Sequence, residues 1–277
     1  SHNHPAIGPH VAECRRHLLA LSGFVLGIAA CSLAFSAAAR LWVDLPWWKI
    51  FRRCVSISAL IMLVVFLRYV HHWPIRSLGL GPWREGRAQL VQGLLLGFGV
   101  VLVLGAGYLG TQIISISVHP DAARVVRTLT TFLPAAGLVS VLEELIFRGY
   151  LLKLLSVCST RFAMMTSSAA YAVVHLKPGS AWPQAGLELM GLFILGCVLV
   201  GSVLRTKQLY LAIGLHASLA YAARVNKLLV EFSQPSLEWL VGTNRLVNGA
   251  AAWVALLGVG WFVRRRTATS RRNREER

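Results

Sequence analysis

Charge is what this sequence has least of. Only 14% of its 277 residues are Asp, Glu, Lys or Arg, where a soluble domain carries about 25%. Acidic residues are scarcest, 11 against 28 Lys and Arg, for a formal net charge of +17. No polar segment exceeds roughly 25 residues, and a domain needs at least twice that, so no separate soluble domain fits. The five cysteines, Cys14, Cys31, Cys54, Cys158 and Cys197, form no CxxC pair. They read as small packing residues in or beside apolar runs, not as a disulfide frame or a zinc knuckle. HExxH, GxSxG and a nucleotide-binding glycine loop are all missing, which leaves cofactor chemistry and soluble-substrate hydrolysis without support. No basic face is interleaved with aromatics, so the positive charge does not point to nucleic acid.

Apolar residues fill the space instead. They make up 56% of the chain, and the mean hydropathy is +0.60. That is the composition of a polytopic membrane protein. About eight runs approach the roughly 20 residues that a spanning helix needs: 18–40, 54–70, 88–112, 131–155, 160–176, 186–204, 208–226 and 246–263. The expected fold is therefore an all-α polytopic transmembrane helix bundle, a single membrane domain over 1–277. The first run is expected to be a retained helix, not a signal peptide. "WWKIFRR" and "GPWREGRAQL" look interfacial, with Trp at headgroup depth and Arg in water. Gly93 and Gly97 make a GxxxG. Close packing inside the bundle is the expectation, with a dimer face as the alternative.

With eight spans both ends lie on one side. That side would hold 17 of the Lys and Arg residues, seven of them in the basic tail 264–277, against 10 on the other. Positive-inside bias then puts both termini in the cytoplasm, with the basic flanks facing anionic lipid.

Against this background "VLEELIFRGY", residues 141–150, stands out. A charge at the bilayer centre costs about 2.5–3.5 kcal/mol even on the lenient insertion scale. Yet Glu143, Glu144, Arg148, His175 and His216 all fall inside apolar runs, with Glu188 near the start of another. Glu144 and Arg148 are i and i+4 and share a helix face, so they are expected to pair. Glu143 is rotated by about 100° and left free as a candidate general base. A plain Glu–Arg pair locking two helices is the bland alternative. Two histidines and a glutamate pair on three runs weigh against it, because each bears its own insertion cost.

These residues resemble the CPBP family of intramembrane endopeptidases, also called the Abi or CAAX-protease family, which includes the Ras-converting prenyl endoprotease. That family shows EExxxR, FxxxH and HxxxN or HxxxD on separate helices of an eight-helix bundle. "EELIFR" matches the first motif with Glu143, Glu144 and Arg148. "YAVVH" matches the second with Tyr171 in the aromatic place and His175. "HASLA" gives His216 for the third, but Ala220 stands where the family has Asn or Asp. The resemblance covers a core of about 75–225.

The resemblance implies peptide-bond hydrolysis within the bilayer. Glu143 and His175 would activate water, Glu144 and Arg148 would support, and His216 would stabilise the oxyanion. The Asn is absent, and losing one such donor costs about 10²–10³ in rate. Ser218, at i+2 from His216, points across the helix and is no simple replacement. Glu143, His175 and His216 also make a plausible zinc set. Without HExxH, a metal-free glutamate mechanism with no cofactor is the preferred expectation. The expected substrate is a membrane-embedded or lipidated protein that loses a C-terminal segment or sorting tail. Two other functions compete. One is a non-catalytic immunity or peptide-binding protein of the same fold, which Ala220 favours. The other is a proton-coupled transporter, disfavoured by the lack of paired Gly/Pro-broken helices in matching halves.

Overall fold

A computed structural model describes residues 9–176, 179, 181–232, 235–243 and 246–275, with side chains of the tail as far as Arg265. Lys177, Arg245 and the basic tail's side chains beyond Arg265, which contribute to the charge totals of the two sides, lie outside the described residues. The described residues are 81% helical, as expected of an all-α bundle. One small sheet is present among the described residues. Its strands β1 (Ile114–Ile116) and β2 (Val230–Phe232) pair antiparallel, Ile114 opposite Phe232.

Among the described residues, five helical stretches are long and apolar enough to cross a membrane: His10–Ala39, Trp47–Val70, Ile75–Gly110, Ala122–Ser156 and Gln184–Thr206. The remaining expected runs are also helical. They are α6 (Thr160–Val174), α8 (Tyr210–Leu229) and most of α10 (Ala250–Glu275). At 15 residues, α6 is about 22 Å long, short of a hydrocarbon core of about 30 Å.

The chain divides into two compact units. The first comprises Ser1–Leu78 and Gly149–Ala163. In it α1 (Pro9–Ala39) packs on α2 (Trp47–Val65), which ends in a π-helical turn, Phe66–Val70. Phe24 meets Phe66 and Tyr150 with ring centroids 5.5 and 4.7 Å away. Cys14 and Cys158 form a disulfide, which corrects the expectation that every cysteine is a packing residue. The two are 144 positions apart in sequence, so no local spacing announces the pair. Cys31, Cys54 and Cys197 are free thiols.

The second unit comprises Gly79–Arg148 and Met164–Arg277. It contains α3 (Trp83–Gly110), α4 (Ala122–Glu144), most of α6, α7 (Gln184–Thr206), α8, α9 (Glu238–Val241) and α10. Pro82 precedes α3, where a missing N–H costs nothing. Asp121 caps α4, its side chain accepting from the Arg124 amide at 2.9 Å. Helix α8 packs against α3 and α4, and α7 packs against α8 and α10. The α3–α8 contact is backbone against backbone. A Cβ on Gly93 would run into the Leu211 carbonyl, and one on Gly214 into the Leu90 carbonyl. Gly97 lies against Ser218. Lipid is as apolar as leucine, so close approach, not burial from water, holds such helices together. The GxxxG is thus spent inside this unit. On the other side of α8, the Tyr221 hydroxyl donates to the Leu129 carbonyl of α4 at 3.1 Å. That contact turns another face of α8, the one carrying His216, toward the end of α4.

Candidate active site

The two glutamates are the last turn of α4, and the chain then widens into a π-helical segment, Leu145–Leu151. Such segments recur at functional sites, and nothing in the amino-acid pattern signalled this one. The changed ladder is partly met from α6, where the Ser167 hydroxyl donates to the Phe147 carbonyl at 2.8 Å.

Glu144 and Arg148 are completely buried at the side chain, and Arg148 Nη1 donates to Glu144 Oε1 at 3.0 Å. The expected i,i+4 pair is formed. The guanidinium also lies 4.2 Å from the centroid of the Tyr171 ring, a cation–π contact in a water-poor setting. Glu144 has a second partner that sequence reasoning missed. His216 Nδ1, from α8, lies 2.9 Å from the same Oε1.

Glu143 is not free, as the helix geometry alone suggested. Its Oε2 lies 3.4 Å from His175 Nε2 and 3.6 Å from His216 Nε2. Three elements converge there: the end of α4, the residue just past α6, and the middle of α8. Glu143 and His175 are 25% and 30% exposed at the side chain, the least buried part of the cluster, although the Glu143 Oε2 atom itself is buried.

The proton positions follow from the partners. His175 Nδ1 lies 2.8 Å from the Tyr171 carbonyl, which only accepts, so Nδ1–H donates there. His216 Nδ1 donates likewise to the Glu144 carboxylate. In their neutral forms both imidazoles therefore turn an Nε2 lone pair toward one oxygen of Glu143. Three acceptors face a common point, and a proton donor is needed to join them. The Tyr171 hydroxyl, buried, also lies 3.3 Å from His216 Nε2.

Ser218 stays out of this cluster, because its hydroxyl donates to carbonyls of its own helix, at Gly214 and Leu215. Glu188 is buried within α7. No three His, Cys, Asp or Glu side chains among the described residues form a group that holds a metal ion.

Residues 126–222 match the family model described as type II CAAX prenyl endopeptidase Rce1-like. The match spans about a third of the chain, which over that segment is similar to this family. It includes Glu143, Glu144, Arg148, Tyr171, His175 and His216, and it agrees with the CPBP/CAAX-protease resemblance. No curated protein matches the chain. The Rce1-like segment and the five apolar helices together make this an integral membrane protein.

Proposed function

We propose that this Rce1-like protein is an intramembrane endopeptidase of the glutamic type, with water activated by Glu143. The observation that carries the proposal is Glu143 Oε2 set between two imidazole Nε2 atoms, 3.4 and 3.6 Å away, beside a buried ion pair and on a side chain that is itself partly exposed. A water in that gap donates one hydrogen to Glu143 and the other to His175 Nε2. Its oxygen adds to the scissile carbonyl carbon, and Glu143 takes the proton. The carbonyl π electrons move to the oxygen, giving a tetrahedral oxyanion near His216. Glu143 then passes its proton to the amide nitrogen, the C–N bond breaks, and a carboxylic acid and an amine leave. Glu144 and Arg148 touch no substrate. They hold the His216 ring in one tautomer and orientation, as a buried carboxylate does in other hydrolases.

The substrate class that the family description favours is a prenylated C-terminus, or another membrane-anchored protein trimmed near its end. On this reading both chain termini lie in the cytoplasm, the side that positive-inside bias favours. The Cys14–Cys158 bond, beside Arg15 and Arg16, argues for an oxidising face instead. The basic bias sums over many residues and outweighs that single bond.

Ala220 favours a second function, peptide binding without cleavage. One experiment separates the two. Purified full-length protein in phospholipid vesicles is given an internally quenched farnesylated CAAX peptide and, separately, an unprenylated membrane-spanning peptide. Cleavage of either supports an endopeptidase, and the preferred peptide identifies the substrate class. Saturable binding of both peptides without cleavage supports the second function and ends the first.

A further inference from the structure

The proposed reaction leaves the oxyanion short of a donor. Neutral His216 does not fill the place: its Nδ1–H donates to Glu144 Oε1, so its Nε2 offers a lone pair. Ala220, one turn along α8 on the same face, offers only a methyl group. Ser218 is turned away into its own helix. The hydrogen that lies at Nε2 belongs to Tyr171, whose hydroxyl is 3.3 Å away.

Tyr171 is held on every side. It is 1% exposed, so its hydroxyl does not exchange partners with bulk water. The Phe147 ring packs edge-on at 5.5 Å, and the Arg148 guanidinium lies over the face. Its backbone carbonyl takes the His175 Nδ1 hydrogen. One residue thus touches both imidazoles that face Glu143, one through its carbonyl and the other through its hydroxyl. A phenylalanine would make every one of these contacts except the last.

We propose that the Tyr171 hydroxyl is an oxyanion donor of this site. The inference rests on the endopeptidase function proposed above. In the resting site the hydroxyl donates to His216 Nε2. As the carbonyl carbon becomes tetrahedral, the hydroxyl turns its hydrogen to the new oxyanion, and the O–H bond is not broken. This supplies from α6 what position 220 of α8 lacks, and it explains how a chain with Ala220 retains hydrolysis.

The test uses full-length protein in phosphatidylcholine vesicles with the cleaved peptide identified above. Tyr171→Phe is expected to lower kcat by about 10²–10³-fold, with KM and thermal midpoint nearly unchanged. Adding Ala220→Asn to that variant is expected to restore at least about tenfold, because the new amide replaces the lost donor. A ring-fluorinated tyrosine at position 171 keeps the shape and strengthens the donor, so kcat is expected to respond to it even if Tyr171→Phe folds poorly. Unchanged kcat in Tyr171→Phe, or no response to fluorination, overturns the inference while leaving the endopeptidase intact. A kcat loss that only tracks loss of folded protein, without rescue by Asn, makes Tyr171 structural and overturns it as well. A wild-type chain with no Glu143-dependent turnover instead ends the endopeptidase function itself.

Discussion

Arg148 Nη1 reaches Glu144 Oε1 at 3.0 Å while the guanidinium covers the Tyr171 ring. One side chain therefore neutralises the buried carboxylate and holds the aromatic ring of the cluster. Arg148→Leu would leave Glu144 buried beside His216 with no permanent positive charge. The expected cost is about 3–5 kcal/mol, read as a lower thermal midpoint and poor yield in detergent, before any effect on catalysis. A variant of unchanged stability would mean that the pair is not structural. This pair was legible in the sequence because i,i+4 spacing fixes it within one helix. The His216–Glu144 contact joins residues 72 positions apart, and only the packing of α8 on α4 creates it. Tyr171 was legible as an aromatic position, but its hydroxyl gained a meaning only beside His216.

Helix α8 is positioned at the scale of elements by glycines. Gly93 and Gly214 bring the backbones of α3 and α8 into contact, and that fixes the depth at which His216 sits. Gly214→Leu has no room, since its Cβ alone would meet the Leu90 carbonyl. It is expected to cost at least about 1–3 kcal/mol and to lower cleavage by moving His216. Gly105→Ala, on the same α3 but with nothing within 4 Å, is expected to change neither. Thermal unfolding of the two variants side by side checks the claim, and equal behaviour would refute it. In the first unit, Cys14→Ser opens a cross-link spanning 144 residues. It is expected to remove about 2–4 kcal/mol under non-reducing conditions and nothing under reductant, again by thermal unfolding. The GxxxG was visible in the sequence, but which helix it met was not. The long helices were visible too, because apolarity and length are local properties. The π segment after Glu144 and the pairing of Cys14 with Cys158 depend on distant contacts and were not.

The protein is a helical membrane protein in which Glu143, Glu144, Arg148, His175 and His216, from three apolar runs, collect at one cluster. Its composition points to lipid as the solvent, and the insertion cost of each ionisable residue marks the cluster as a candidate site. What composition leaves open is the chemistry, because a carboxylate with two imidazoles serves a metal as readily as a water. Glu143 is the atom of decision. The most direct measurement is single-turnover cleavage of the identified peptide by the wild type and by Glu143→Gln, each with and without a strong chelator. Substrate binding and thermal stability are recorded alongside. The account predicts that the chelated wild type cuts at its full rate. It predicts that Glu143→Gln folds and binds but cuts at least about 10²-fold more slowly. Full activity in Glu143→Gln, or activity lost to the chelator and restored by zinc, would contradict it.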